Sequence, residues 1–169
     1  EFYSPIYWTV QYFLTNIFPV KYQIESSHLI NLTFAIGTIF AVGNLTKILF
    51  NRDTGKIVFL ILFFYPIFFG QMGFNPKDTI LAFCHVWIFY LVLRYIKKQN
   101  KKYILRIGFL SAMGTGIQLF FLGSLIPIFL FIFYEVFFSK KIINIKFNKK
   151  KFFLDLLKCF FIFYFFLVL

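Results

Sequence analysis

Acidic side chains are scarce in this sequence: six Asp and Glu stand against 18 Lys and Arg among 169 residues, and only 14% of positions are charged at all. A soluble domain carries about 25% charged residues, so this deficit excludes an ordinary water-exposed surface. Cysteine is rarer still. Cys84 and Cys159 each sit inside an apolar run, which excludes a disulfide framework and a thiolate metal site and leaves both as packing residues. Also missing are a nucleophile elbow, a glycine-rich phosphate cradle, a zinc signature and an internal repeat. Residues 1–18 lack the basic leader and small-residue cleavage site of a signal peptide. Without an initiating Met, and with its last residue inside an apolar run, the chain is expected to be cut at both ends.

What fills the space is hydrocarbon. Hydrophobic residues make up 60% and aromatic residues 25%, with thirty phenylalanines. Lipid is the natural solvent for such a chain, and its length is better counted in spans of about 20 residues than in soluble domains. The heavy use of Phe, Ile, Lys and Asn fits an AT-rich genome, and a bacterial inner membrane is the expected location. A net charge of +12 points toward nucleic acid only if the basic residues share one soluble face. Here they cluster between apolar runs, so they read as topology signals and nucleic acid is not an expected partner.

Along the chain, residues 5–18 place Ile6, Val10, Phe13, Leu14 and Ile17 at helical spacing, with Tyr7, Trp8 and Tyr12 among them. This pattern predicts an interfacial amphipathic helix, with a short membrane span as the other reading. Spans are then predicted over 29–50, 57–69, 76–96, 104–122, 124–138 and from 152 onward, about six in all. Pro66 is expected to bend or end the second, and Gly123 and Pro127 to mark the hairpin between the fourth and fifth. The expected architecture is all-α: a polytopic transmembrane helix bundle over 28–169, preceded in 1–27 by the end of an extracytoplasmic loop with its juxtamembrane helix.

The basic residues in successive connections number one, three, one, six, none and six. Cytoplasmic loops carry the Lys/Arg excess and connections must alternate sides. Residues 1–28, the loop around Asp78 and the hairpin around Gly123 are therefore expected outside the cytoplasm.

Asp78 is the residue that invites chemistry, because a carboxylate at the boundary of a span is costly unless paired, hydrated or used. Lys77 beside it carries the opposite charge. Together with a helix N-terminus they form a reasonable phosphate contact, and Asp78 is an oxygen ligand for a divalent cation. The plainer reading is a helix-terminal charge with a solvated neighbour. Two turns on, His85 enters the apolar zone as a structural histidine, a metal ligand or a proton carrier. His28 stands at the start of the first span as a capping or interface residue. Gly108, Ala112 and Gly116 recur every four residues, a pattern for close helix packing. Thr115 and Gln118 become ligand contacts if their side faces a cavity, and Glu135 is expected to pair with Lys140 or Lys141.

At this point a resemblance enters. The segments Tyr3-Ser4-Pro5-Ile6-Tyr7, His28-Leu29-Ile30-Asn31, Asn75-Pro76-Lys77-Asp78 and Ala112-Met113-Gly114-Thr115 resemble, in order and spacing, the membrane glycosyltransferases related to protein O-mannosyltransferases and lipid A aminoarabinose transferases, the GT-C class. The likeness covers most of residues 3–138. It implies a polyprenyl-phosphate sugar donor arriving from the lipid bilayer and a lipid, glycan or protein acceptor outside the cytoplasm. Asp78 matches the second acidic position, near the donor phosphate and any divalent ion (Mg, Mn or Zn), with Lys77 and Asn75 as phosphate contacts. The main catalytic base of such enzymes is expected before Glu1, so this piece is expected to be inactive alone. Where many relatives place Arg or Lys after the matching Thr, this chain has Gly116, which removes a phosphate contact there. The competing functional reading is a transporter or flippase that uses Asp78 and His85 within the membrane, and a third is a non-catalytic assembly subunit.

Overall fold

The computed structural model describes residue 9 and residues 12–72, 74–139 and 147–168. Most of the predicted amphipathic stretch, including Tyr7, Trp8 and Val10, and the loop lysines Lys140, Lys141 and Lys146 lie outside the described residues. Residues 12–15 form one helical turn, with Tyr12 and Phe13 exposed.

Among the described residues the elements are helical. A short 3₁₀ turn, Val20–Tyr22, leads into α1 (Gln23–Leu49), followed by α2 (Arg52–Phe64), α3 (Pro66–Gln71), α4 (Pro76–Lys97), α5 (Lys101–Ile117), α6 (Phe121–Tyr134) and α7 (Lys149–Val168). The last turn of α6 runs on as a π-helical segment, Glu135–Ser139. The principal contacts run α2 to α1, α1 to α4, α4 to α5 and α5 to α7, a row in which α4 is central, and α6 leans on α4 and α5.

Local chemistry sets the breaks. Asn51 caps α2 by accepting the Thr54 N–H at 2.8 Å, so α1 and α2 turn over within two residues. Pro66 does end the helix before it: Tyr65 adopts extended backbone and Pro66 becomes the first residue of α3. Asn75 and Asn100 cap α4 and α5. On α4, Ile80, Cys84, Ile88, Val92 and Ile96 recur every fourth residue and pack with Ile117, Phe121 and Ile128 as the main core. Outside that core the surface stays apolar, with Phe40, Phe64, Ile67, Phe120 and Phe161 among many exposed large side chains. A surface of this kind belongs in lipid.

The all-helical class agrees with expectation, but the number of spans does not. Three helices among the described residues are long and apolar enough to cross a membrane: Val20–Leu49, Lys77–Lys97 and Phe121–Phe138. The other three predicted spans fall short for separate reasons. α2 has 13 residues and breaks at Tyr65, giving about 20 Å of helix at 1.5 Å per residue against a hydrocarbon core of about 30 Å. α5 opens with Lys101, Lys102 and Arg106, and it ends at Ile117, not Leu122. α7 carries Lys149, Lys150, Lys151, Asp155 and Lys158 in its first half. The connection between the fourth and fifth predicted spans moves as well: it lies at 118–120, and both Gly123 and Pro127 fall inside α6.

Candidate functional site

The first turn of α4 is built around Asn75. Its side-chain oxygen accepts from the Asp78 N–H at 3.4 Å, while its amide Nδ2 donates to Asp78 Oδ2 at 2.8 Å. The first bond is an ordinary Asn N-cap and the second ties the two side chains together, while the Asn75 backbone N–H donates to the Gln71 carbonyl at 3.2 Å. Thr79 completes the turn by donating its hydroxyl to the Asn75 carbonyl at 2.6 Å. The carboxylate is thereby fixed at the mouth of the helix, with Asp78 exposed, Lys77 and Asn75 half-buried and Thr79 buried.

The segment before this turn is anchored on α1. Met72 is buried against Ala35 and Ile39, and the His28 ring meets Phe74 edge-on at 5.3 Å between centroids. Two sequence-distant pieces, 28–31 and 75–78, thus share one end of the bundle. Trp87 Nε1 holds α4 to α1 further along by donating to the Gly37 carbonyl at 3.1 Å. Gly37 permits this approach, because a Cβ there would lie 2.7 Å from the Phe83 ring.

Below Asp78, the same side of α4 presents Leu81, Ala82 and His85 to an open cavity of about 480 Å³, lined across from them by Gln118, Phe120, Phe121 and Ser124. His85 Nε2 lies 3.0 Å from the Ser124 carbonyl, an acceptor, so that nitrogen carries the proton. The Phe121 ring stands edge-on to His85, and its other side fills the space beside Gly114. His85 and Gln118 therefore line one cavity. Thr115 does not: it is buried, and its hydroxyl donates back to the Ser111 carbonyl at 2.8 Å within α5.

Metal chemistry has little to build on in these residues. Asp78 offers a cation a single carboxylate, one oxygen of which already accepts from Asn75. Among the described residues no three His, Cys, Asp or Glu converge as a ligand group. They do not by themselves make a resident cation site.

Residues 4–168 match the model of a family described as dolichyl-phosphate-mannose-protein mannosyltransferase. The chain belongs to that family. No curated protein and no solved structure matches it. The dolichyl-phosphate-mannose-protein mannosyltransferase family is one of membrane glycosyltransferases, so the apolar helices here are those of an integral membrane protein in a transferase family whose donor is a lipid-linked sugar.

Sequence reasoning missed three features of this mannosyltransferase-family bundle. The partner of His85 is a backbone carbonyl, which carries no sequence signal. Gly37 looks like any apolar-run glycine. Asp155 is nearly fully buried at 1% exposure, with Tyr95 donating to it at 2.8 Å. Its position four residues after Lys151 makes it look like one more charge in a basic stretch. Glu135 is buried too, and the lysines expected to pair with it fall outside the described residues.

Proposed function

We propose that this chain contributes the donor-handling end of an enzyme that transfers a sugar from a polyprenyl-phosphate carrier to an acceptor outside the cytoplasm. The observation that carries this reading is the Asn75–Asp78 turn, which fixes a carboxylate and its neighbour Lys77 at a helix N-terminus directly above the cavity of His85 and Gln118. In the proposed reaction an acceptor hydroxyl oxygen attacks the anomeric carbon. The bond from that carbon to the phosphate oxygen breaks, and the electron pair leaves on the carrier phosphate. The Lys77 ammonium and the positive end of the α4 dipole stabilise that leaving charge. The acceptor's proton passes to a general base, a role the resemblance gives to another acidic residue, with Asp78 as its near neighbour. The cavity below offers the His85 imidazole, the Gln118 amide and Ser124 to the hydroxyls of a sugar, on otherwise apolar walls.

The test is Asp78→Asn, which keeps an oxygen for Asn75 Nδ2 and removes only the charge. In the full-length protein, with a labelled polyprenyl-phosphate sugar, transfer is expected to fall by about 100-fold or more while the protein stays helical and extractable in the same detergent. Undiminished transfer removes Asp78 from the site. Substrate uptake into vesicles without any transfer replaces the transferase reading with the transporter one.

A further inference from the structure

At the opposite end of α1 from the Asp78 turn, α1 and α2 enclose a groove of about 490 Å³. Its walls are two regular strips: Phe40, Gly43, Asn44 and Lys47 on α1, and Arg52, Gly55, Lys56, Phe59 and Leu60 on α2. Spacings of three, four and seven put each strip on one helix face. The floor is backbone. A Cβ on Gly55 would lie 2.8 Å from the Gly43 carbonyl oxygen and 3.1 Å from Lys47 Cβ, so the helices meet there with nothing between them.

The groove is graded along its length. Lys47, Arg52 and Lys56 stand at the end nearest the α1–α2 turn, and Phe40, Phe59 and Leu60 lie at the far end, with the Phe40 and Phe59 rings 5.1 Å apart. Lys56 already has a carboxylate, Asp53 at 3.0 Å. Among the described residues no carboxylate forms an ion pair with Lys47 or Arg52. From Lys47 to Phe40 is seven residues, about 10 Å of helix. Cations at interface depth and an apolar trough running about 10 Å further into the bilayer match one molecule shape: an acidic headgroup attached to a hydrocarbon chain.

We infer that this groove binds one anionic phospholipid, its phosphate held by Lys47 and Arg52 and the upper part of one acyl chain lying against Phe40, Phe59 and Leu60. A lone basic patch accounts for attraction to a charged surface, whereas the trough between two glycine-contacted helices adds a place for the chain. The site is independent of the Asp78 end, and neither stands or falls with the other.

Native mass spectrometry of the chain in neutral detergent tests this, with phosphatidylglycerol, phosphatidylcholine and water-soluble glycerol phosphate as probes. One phosphatidylglycerol is expected to be retained at least about tenfold more tightly than phosphatidylcholine, and the Lys47→Gln/Arg52→Gln variant is expected to lose that preference. Leu60→Trp, which fills the trough and leaves every charge in place, is expected to weaken phosphatidylglycerol as well. Glycerol phosphate at the same concentration is expected not to compete. Equal retention of the two lipids overturns the site, and so does competition by glycerol phosphate, which would make the groove a plain phosphate contact. A Lys101→Gln/Lys102→Gln control that lowers the preference as much as the groove variant also overturns it, because the selectivity would then belong to the whole basic surface.

Discussion

The Tyr95 hydroxyl donates to Asp155 Oδ2 at 2.8 Å, tying α4 to α7 through two buried side chains. Lys158 approaches the other carboxylate oxygen at 3.8 Å from a half-exposed position. α7 packs chiefly on α5, and this bond links it to the central helix, as the Lys151 ammonium, donating to the Gln99 carbonyl at 2.8 Å, links it to the residues just beyond α4. Removing the phenol leaves a buried carboxylate short of a donor, which costs about 1–3 kcal/mol, more when the acceptor is charged. Tyr95→Phe is therefore expected to lower the thermal midpoint in detergent clearly, and Asp155→Leu placed on top of it to recover most of the loss, since the pair is replaced by packing. A Tyr95→Phe protein that melts with the wild type would show the bond to be dispensable.

Asn75 serves Asp78 twice, as cap acceptor and as carboxylate donor, and the two services separate by mutation. Asn75→Asp keeps the cap oxygen for the Asp78 N–H but sets two carboxylates against each other. Asn75→Ala removes both bonds, and loss of a cap costs about 1 kcal/mol. In stability, Ala is expected to be the worse of the two. In sugar transfer the order is expected to reverse, because Asp repels both the Asp78 carboxylate and an incoming phosphate. Parallel melting and transfer assays on the two variants give the answer. If both properties fall in the same order, Asn75 is a cap and nothing more.

How much of this was legible in the sequence divides along range. The helix breaks were readable, since Pro66, Asn75 and the basic connections act on their own few residues. So was the close-packing pattern around Gly108, because small residues every four positions have one structural use. The span count was not. A window of apolar residues does not say that α5 will stop at Ile117 instead of running to Leu122, or that the lysines before α7 will be taken into its first turns. At the candidate site, Asp78 was legible as a charge at a helix terminus, whereas the Asn75 cap on it was not. That His28 meets Phe74 and His85 meets the Ser124 carbonyl depends on how α1, α4 and α6 stack, which no local pattern encodes. Asp155 was hidden by its company, for a buried carboxylate among lysines has the same spelling as a solvated one.

Two glycines in helices are expected to respond to alanine with opposite signs. At Gly108 a Cβ would lie 2.7 Å from Ile162 Cγ2, 3.0 Å from Ile162 Cβ and 3.1 Å from the Cys159 carbonyl oxygen. Two of those three atoms are not free side-chain ends, so α5 and α7 must move apart, at about 1–3 kcal/mol for overpacking. At Gly123, inside α6, nothing lies within 4 Å of the same added atom. There alanine recovers helix propensity, about 1 kcal/mol. Gly108→Ala is thus expected to melt lower than wild type and Gly123→Ala at or above it. Ile162→Ala in the Gly108→Ala background removes Cγ2 from the clash but leaves Cys159 O, so rescue is expected to be partial. Complete rescue would mean that the carbonyl contact carries none of the cost, and no effect of Gly108→Ala at all would mean that α5 and α7 are not packed at this spacing.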